Sequence, residues 1–283
     1  MNKFVIFSAI IGQYDLVAQP SVIDDRFDYV LFSNCIPEGK IGVWQVRNIG
    51  YSNHVQPKIA RYVKTHPELL LSEYEASLWL DANIRITGAE IYDRFVELFE
   101  KGIVLASVKH LGYDCVYEEL FSVLDFRYES EEAVLDWGHQ LRKRGFPRHH
   151  GMFETGLLFR IHSKDEVNRV DSIWWSYIER YSKRDQLSFT VVLDEVDVKC
   201  EFFLPQGVTV RNSKGLEFVK HADESAKFIA NDKKAWLMHH YYKHHEAKDK
   251  VNKLYYWIYG RRNPRLWAVI LGQCYRIKDR VMK

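Results

Sequence analysis

The chain has 283 residues, 47% of them hydrophobic and 28% charged, which is ordinary for a globular protein and enough for one large α/β domain with a buried core. Its net charge of +2 conceals an asymmetry: from Lys248 onward ten Lys or Arg stand against two Asp, leaving an acidic body at −6. That body excludes a general nucleic-acid footprint, and no run of about 18 apolar residues exists to span a membrane.

The opening stretch "MNKFVIFSAIIGQYD" has one lysine and no small-residue cleavage site. It reads as a first core strand over residues 4–10, ending in the turn Gly12-Gln13-Tyr14-Asp15. Further strand-length apolar runs follow at 29–32, 42–46, 77–80, 103–107 and 156–161. Helical patterns lie between and after them, at 55–64, 89–101, 116–124, 131–143, 164–181 and 184–193. This alternation predicts an α/β fold, a mostly parallel sheet flanked by helices on both faces. Near residue 225 the composition shifts to Lys, His, Tyr and Trp, dividing a 1–225 domain from a helical, basic aromatic extension over 226–283. Four widely spaced cysteines (Cys35, Cys115, Cys200, Cys274) form no CxxC pair, which argues against a zinc site or disulfide framework and fits a cytoplasmic setting.

In open α/β sheets, ligands bind outside the carboxyl ends of the strands. The stretch "SLWLDANIRI" puts Asp81 there, with Asn83 two residues on. Two side-chain oxygens so spaced can point at one hard divalent cation, which completes its shell with phosphate and water. The spacing alone also suits a simple Asx turn.

Wider similarity sharpens this reading. "SLWLDANIRI" resembles the S-I-W-I-D-G-N segment of a glycosyltransferase-like family with bacterial and plant members, formerly listed as a domain of unknown function. "AIIGQYDLV", "ARYVKTHP", "KHLGYDCVYEEL", "FETGLLFRIHS" and "KRDQLSF" resemble its other blocks, in the same order. The matches span residues 8 to 190. Ala82 replaces the usual glycine, and Gly112-Tyr113 stands where a Pro-x-Arg element is common. The family is similar to nucleotide-sugar transferases of the GT-A fold, so the resemblance implies a GT-A-like domain. It further implies transfer of a sugar from a UDP- or GDP-linked donor to a glycan or lipid-linked acceptor, in surface polysaccharide synthesis.

On that resemblance Asp81 and Asn83 hold Mn²⁺ or Mg²⁺ against the donor diphosphate, with His239 (or His240) of "WLMHHYYKHH" as a third ligand. Gly12, Tyr14 and Asp15 form the turn that cradles the base and ribose, while Arg61, Lys64 and His66 meet phosphates or the nucleotide. By residue type, an Arg/Lys pair three apart on a helix is also what a solvated face looks like. Asp185 and Gln186 are either a capping cluster or a site at which Asp185 contacts the transferred sugar or the acceptor. Glu154 is a strand-end structural partner, the base that deprotonates the acceptor hydroxyl, or a nucleophile at the anomeric carbon. Of Glu118 and Glu119, the family pattern favours Glu118 as functional. The tail after Lys248 suits either an interfacial helix on anionic lipid or a core-packing helix, so a peripheral membrane contact is one expectation. A metal-dependent hydrolase on the same carboxylates, or a non-catalytic nucleotide- or glycan-binding module, are the alternative functions.

Overall fold

The first strand is buried at all seven positions, the pattern of a strand covered on both faces. The computed structural model describes residues 2–12, 14–125, 128–219 and 221. In chain order the strands are β1 Phe4–Ile10, β2 Phe27–Ser33, β3 Gly39–Ile41, β4 Trp44–Asn48, β5 Ala76–Leu80, β6 Ile84–Ile86, β7 Leu105–Lys109, β8 Phe153–Ile161, β9 Glu201–Phe202 and β10 Leu216–Phe218. The helices are α1 Gln56–Lys64, α2 Pro67–Leu70, α3 Glu90–Glu100, α4 Val116–Asp125, α5 Glu131–Lys143, α6 Asp165–Arg180 and α7 Gln186–Val196.

Eight strands form one mixed sheet in the order β3-β4-β2-β1-β5-β8-β7-β9, and β6 pairs with β10 in a small second sheet. The pairings β1·β2, β1·β5, β2·β4 and β7·β9 are parallel, so the sheet is mostly parallel, as expected. β8 is the exception that matters: it runs antiparallel between β5 and β7. Because β1, β2, β5 and β7 end at one edge of the sheet, antiparallel β8 begins there. Residues 153–156 therefore join the carboxyl-end loops although they open a strand.

Helices cover both faces. On one, Phe95 of α3 sets its ring edge-on to Phe4, Phe27 and Phe159, at 4.8–5.0 Å between centroids. On the other, α1 packs on β1, α7 on β8, and α6 on both α1 and α7. Such aromatic pairs add about 0.5–1.5 kcal/mol each beyond area burial.

Contacts divide the described chain into two units, 2–116 with 147–221, and 117–146. The second is a helical pair. Ser130 caps α5 by accepting from the Ala133 amide, and Tyr117 Oη donates to the Phe146 carbonyl at 2.8 Å. Glu118 lies in this unit, half-buried on α4, while Glu119 beside it is buried. The expected boundary at 225, the 226–283 extension and His239 lie outside the described residues. Among the described residues, no helix is long and apolar enough to cross a membrane.

Candidate active site

Asp81 leaves β5 into a tight turn. Its amide donates to the Gly156 carbonyl at 2.9 Å, and its own carbonyl accepts from the Ile84 amide at 2.8 Å. Trp79 Nε1 donates to Asp81 Oδ1 at 2.8 Å, so the strand's last buried ring aims its terminal carboxylate. A Cβ at Gly156 would sit 3.2 Å from Ile84 Cδ1 and 3.3 Å from Asp81 Oδ2, which explains glycine at that point of β8. The Asp81 side chain keeps 34% of its surface exposed.

Behind it lies a closed corner of charges. Lys64, on the inward face of α1, is 1% exposed; its Nζ is 2.5 Å from Asp185 Oδ2 and 3.6 Å from Asp81 Oδ1. Thr155 Oγ1 also donates to Asp185 Oδ2, at 2.9 Å. Arg61 Nε stands 3.0 Å from Asp185 Oδ1, a charge contact without the alignment of a hydrogen bond. Trp174 Nε1 of α6 donates to the Asp185 carbonyl at 2.9 Å. Burial pushes the Asp185 carboxyl up, but Arg61 and Lys64 more than offset that and hold it well below the usual carboxylate range. For Lys64 burial prevails over the neighbouring carboxylates, and its pKa falls.

Capping does not describe Asp185: its side chain makes no bond to the α7 amides and turns into this corner instead. Nor is the Arg61/Lys64 pair a solvated face, since carboxylates rather than water take its charge. Gln186, half-buried, opens α7. His66 closes the C-terminal end of α1: Nδ1 lies 2.8 Å from the Tyr62 carbonyl, and the ring stacks on Tyr62 at 4.1 Å.

A bulge in β8 supplies the next residues. Ser107 pairs with Leu158 but Val108 with Glu154, so residues 155–157 are extra, and the Ser107 hydroxyl donates to the carbonyls of Glu154 and Leu157. Bulges re-aim side chains beside active sites. Here Glu154, Thr155 and Gly156 meet Arg211, Asp185 and Asp81 in turn. Glu154 Oε1 is 3.4 Å from Arg211 Nη1, while its Oε2 is buried without a hydrogen-bond partner. Burial raises the Glu154 pKa, and Arg211 opposes the rise. At the end of β7, His110 Nδ1 accepts from the amides of Gly112 and Tyr113, shaping the turn where the sequence departs from the family pattern.

The outer rim carries the first-strand turn. Gly12 has φ +63°, its amide donates to Asn34 Oδ1 at 2.8 Å, and Cys35 Sγ donates to its carbonyl. Asp15 Oδ1 lies 2.5 Å from His221 Nδ1, and His221 Nε2 lies 3.3 Å from the Asn83 side-chain amide. Tyr14, 46% exposed, holds its ring 4.5 Å from the same imidazole. Sequence reasoning missed His221, Thr155, Trp174 and Arg211. His221 gives no local signal in "VKHADES", and the other three are defined by which element folds against Asp185 or Glu154.

Among the described residues, no three His, Cys, Asp or Glu side chains converge as a metal cluster. The candidate donors are mixed: the Asp81 carboxylate at the end of β5, the Asn83 side-chain amide two residues on, and the His221 imidazole, which lies 3.3 Å from that amide and is backed by Asp15. Their chemistry fits Mn²⁺ or Mg²⁺, since a carboxylate supplies charge, an amide oxygen a neutral hard ligand, and a carboxylate-backed imidazole a fixed nitrogen.

No curated protein matches the chain in sequence. Among solved structures it is similar to a bifunctional glycosyltransferase, WbbM, at 9% identity over 72% of this chain and 39% of that one, with TM-score 0.41. Mouse xyloside xylosyltransferase 1 aligns at 12% identity over 70% of this chain and 84% of that one, with TM-score 0.43. The S. cerevisiae mannosyltransferase Ktr4p aligns at 11% over 68% and 65%, with TM-score 0.41. The chain thus spans about two fifths of the length of WbbM. The model of one sequence family, the TOD1/MUCI70, glycosyltransferase-like domain, matches residues 1–216, and the chain belongs to that family.

Proposed function

We propose that this protein transfers a sugar from a UDP- or GDP-linked donor to a glycan or lipid-linked acceptor, using Mn²⁺ or Mg²⁺. The observation that carries the reading is Asp81: a strand-end carboxylate aimed by Trp79, part-exposed, beside a turn that brings Asn83 to His221. Asp81, Asn83 and His221 would hold the cation, and Asp15 would orient the imidazole. When bound, the cation neutralises charge growing on the departing diphosphate.

The chain's own residues divide the remaining work. Glu154 is the base: its buried, unpartnered Oε2 and raised pKa suit removal of a proton from an acceptor hydroxyl. Asp185 has both oxygens engaged by cations or a hydroxyl, which suits a fixed charge against the donor sugar better than a nucleophile. Tyr14 and the Gly12 turn supply an aromatic face and a tight backbone for the nucleoside.

A thermal-shift series on the full chain tests the reading, with UDP, GDP and their glucose, galactose and mannose conjugates, each with and without Mn²⁺. The expected result is a metal-dependent rise in Tm for one base class, growing with ligand concentration over Kd, and its loss in Asp81→Ala. A shift that survives Asp81→Ala, or no shift with any nucleotide, overturns it.

A further inference from the structure

A second buried ion pair lies in the same layer of side chains and has no place in the chemistry so far. Arg160 of β8 is 0% exposed and Asp171 of α6 is 1% exposed, with Nε 3.0 Å from Oδ2. None of the Arg160 guanidinium nitrogens and neither Asp171 oxygen makes an aligned hydrogen bond. A buried pair of that quality is a poor way to stabilise a fold, because desolvation of both ions outweighs what misaligned contacts return. Its surroundings indicate another use.

Asp171 and Trp174 stand one turn apart on α6 and therefore share a face. The Arg160 Cζ lies 5.9 Å from the centroid of the Trp174 indole, and Lys64 Nζ lies 5.7 Å from the same centroid. Two buried cations within about 6 Å of one ring are in cation–π range. That ring spends its only donor on the Asp185 carbonyl. Lys64 in turn contacts the Asp185 carboxylate. An unbroken path of contacts therefore leads from Asp171 through Arg160 and Trp174 to both ends of the Asp185 residue. Trp174 is wholly buried and also packs its ring 4.6 Å from Phe189 of α7.

We propose that Arg160 and Asp171 are positioning residues for Asp185, acting through the Trp174 indole. The pair fixes the ring, and the ring fixes the backbone from which the Asp185 carboxylate reaches Lys64, Thr155 and Arg61. What this contributes to sugar transfer rests on the function proposed above; the positioning itself does not.

The test separates positioning from bulk stability. In the double variant Arg160→Met/Asp171→Leu, apolar side chains of similar volume replace the pair, an exchange that is often neutral or stabilising. The full chain, labelled with ¹⁵N-tryptophan, is followed through its indole N–H signals, with Trp174 assigned by Trp174→Phe. We expect the double variant to melt no lower than wild type, yet to exchange the Trp174 indole proton roughly tenfold faster, because its hydrogen bond opens locally. The indoles of Trp44 and Trp79, which donate to the Ala18 carbonyl and to Asp81, serve as internal controls and should not change. Unchanged Trp174 exchange in the folded double variant overturns the proposal. If that variant fails to fold, Asp171→Asn removes the charge at nearly constant volume and is read the same way, with unaltered Trp174 exchange again the overturning result. Loss of the metal-dependent nucleotide response in wild type would sink the functional reading alone, and normal Trp174 exchange beside an intact response would sink this one alone.

Discussion

The inner corner at Asp185 and the outer rim at Asp81, Asn83 and His221 each centre on an aspartate and behave differently. In the corner, charges are buried and mutually engaged: Lys64 is 1% and Asp185 5% exposed, and Thr155 and Trp174 complete the set. On the rim, Asp81 retains a third of its surface, and Asp15 and His221 sit at 15% and 19%. The corner is preorganised, with both Asp185 oxygens already engaged. The rim keeps part of its polar surface exposed, as the proposed cation and diphosphate would require.

The largest effect should come from breaking the corner. Asp185→Ala leaves buried Lys64 and part-buried Arg61 as cations with no carboxylate between them, so stability should fall by about 3–5 kcal/mol, measured by urea unfolding. A loss below about 1 kcal/mol would mean that the corner is open to water. The rim should respond in ligand affinity instead. Asp15→Asn removes the carboxylate behind His221 and should weaken Mn²⁺ binding about 10- to 100-fold, or about 1.4–2.7 kcal/mol, with the apo Tm nearly unchanged. Calorimetric titration of the protein with Mn²⁺ reads this directly.

The smallest effect sharpens the comparison through pH. Asp171 is pushed up to about 7, first by burial, with Arg160 opposing and Glu68 reinforcing the rise. Its folded pKa therefore exceeds the unfolded one, near 3.8. The folded state holds the proton more tightly, so this contribution is complete below about pH 4 and is lost as pH rises through about 7. Between those limits stability should decline by up to about 1 kcal/mol per pH unit, and the decline should be shallower in Asp171→Asn. Glu68 acts in the same direction, so the difference between the two proteins is the quantity to measure. A slope identical in both would show that Asp171 stays ionised.

Periodicity made the strands at β1, β2, β5 and β7 and the six longer helices legible, because apolar runs and amphipathic stretches report burial locally. β6, β9 and β10 were not, since two or three residues carry no periodicity, and the antiparallel sense of β8 is a property of pairing that no window along the chain contains. Asp81 could be found because strand ends are where such sheets bind ligands. Lys64 could not be assigned its partner from residue type: a lysine on a short helix resembles a solvent-facing one until the helix is laid against β1. His221 was missed because its meaning comes from Asp15 and Asn83, both far away along the chain.

The three extra residues in β8 have a consequence for how such a domain can diversify. Deleting one of residues 155–157 would leave the strand's pairing beyond Leu158 intact while changing which side chains face Arg211, Asp185 and Asp81. A one-codon change there re-aims the side chains at the mouth of the site while the sheet beyond Leu158 keeps its pairing.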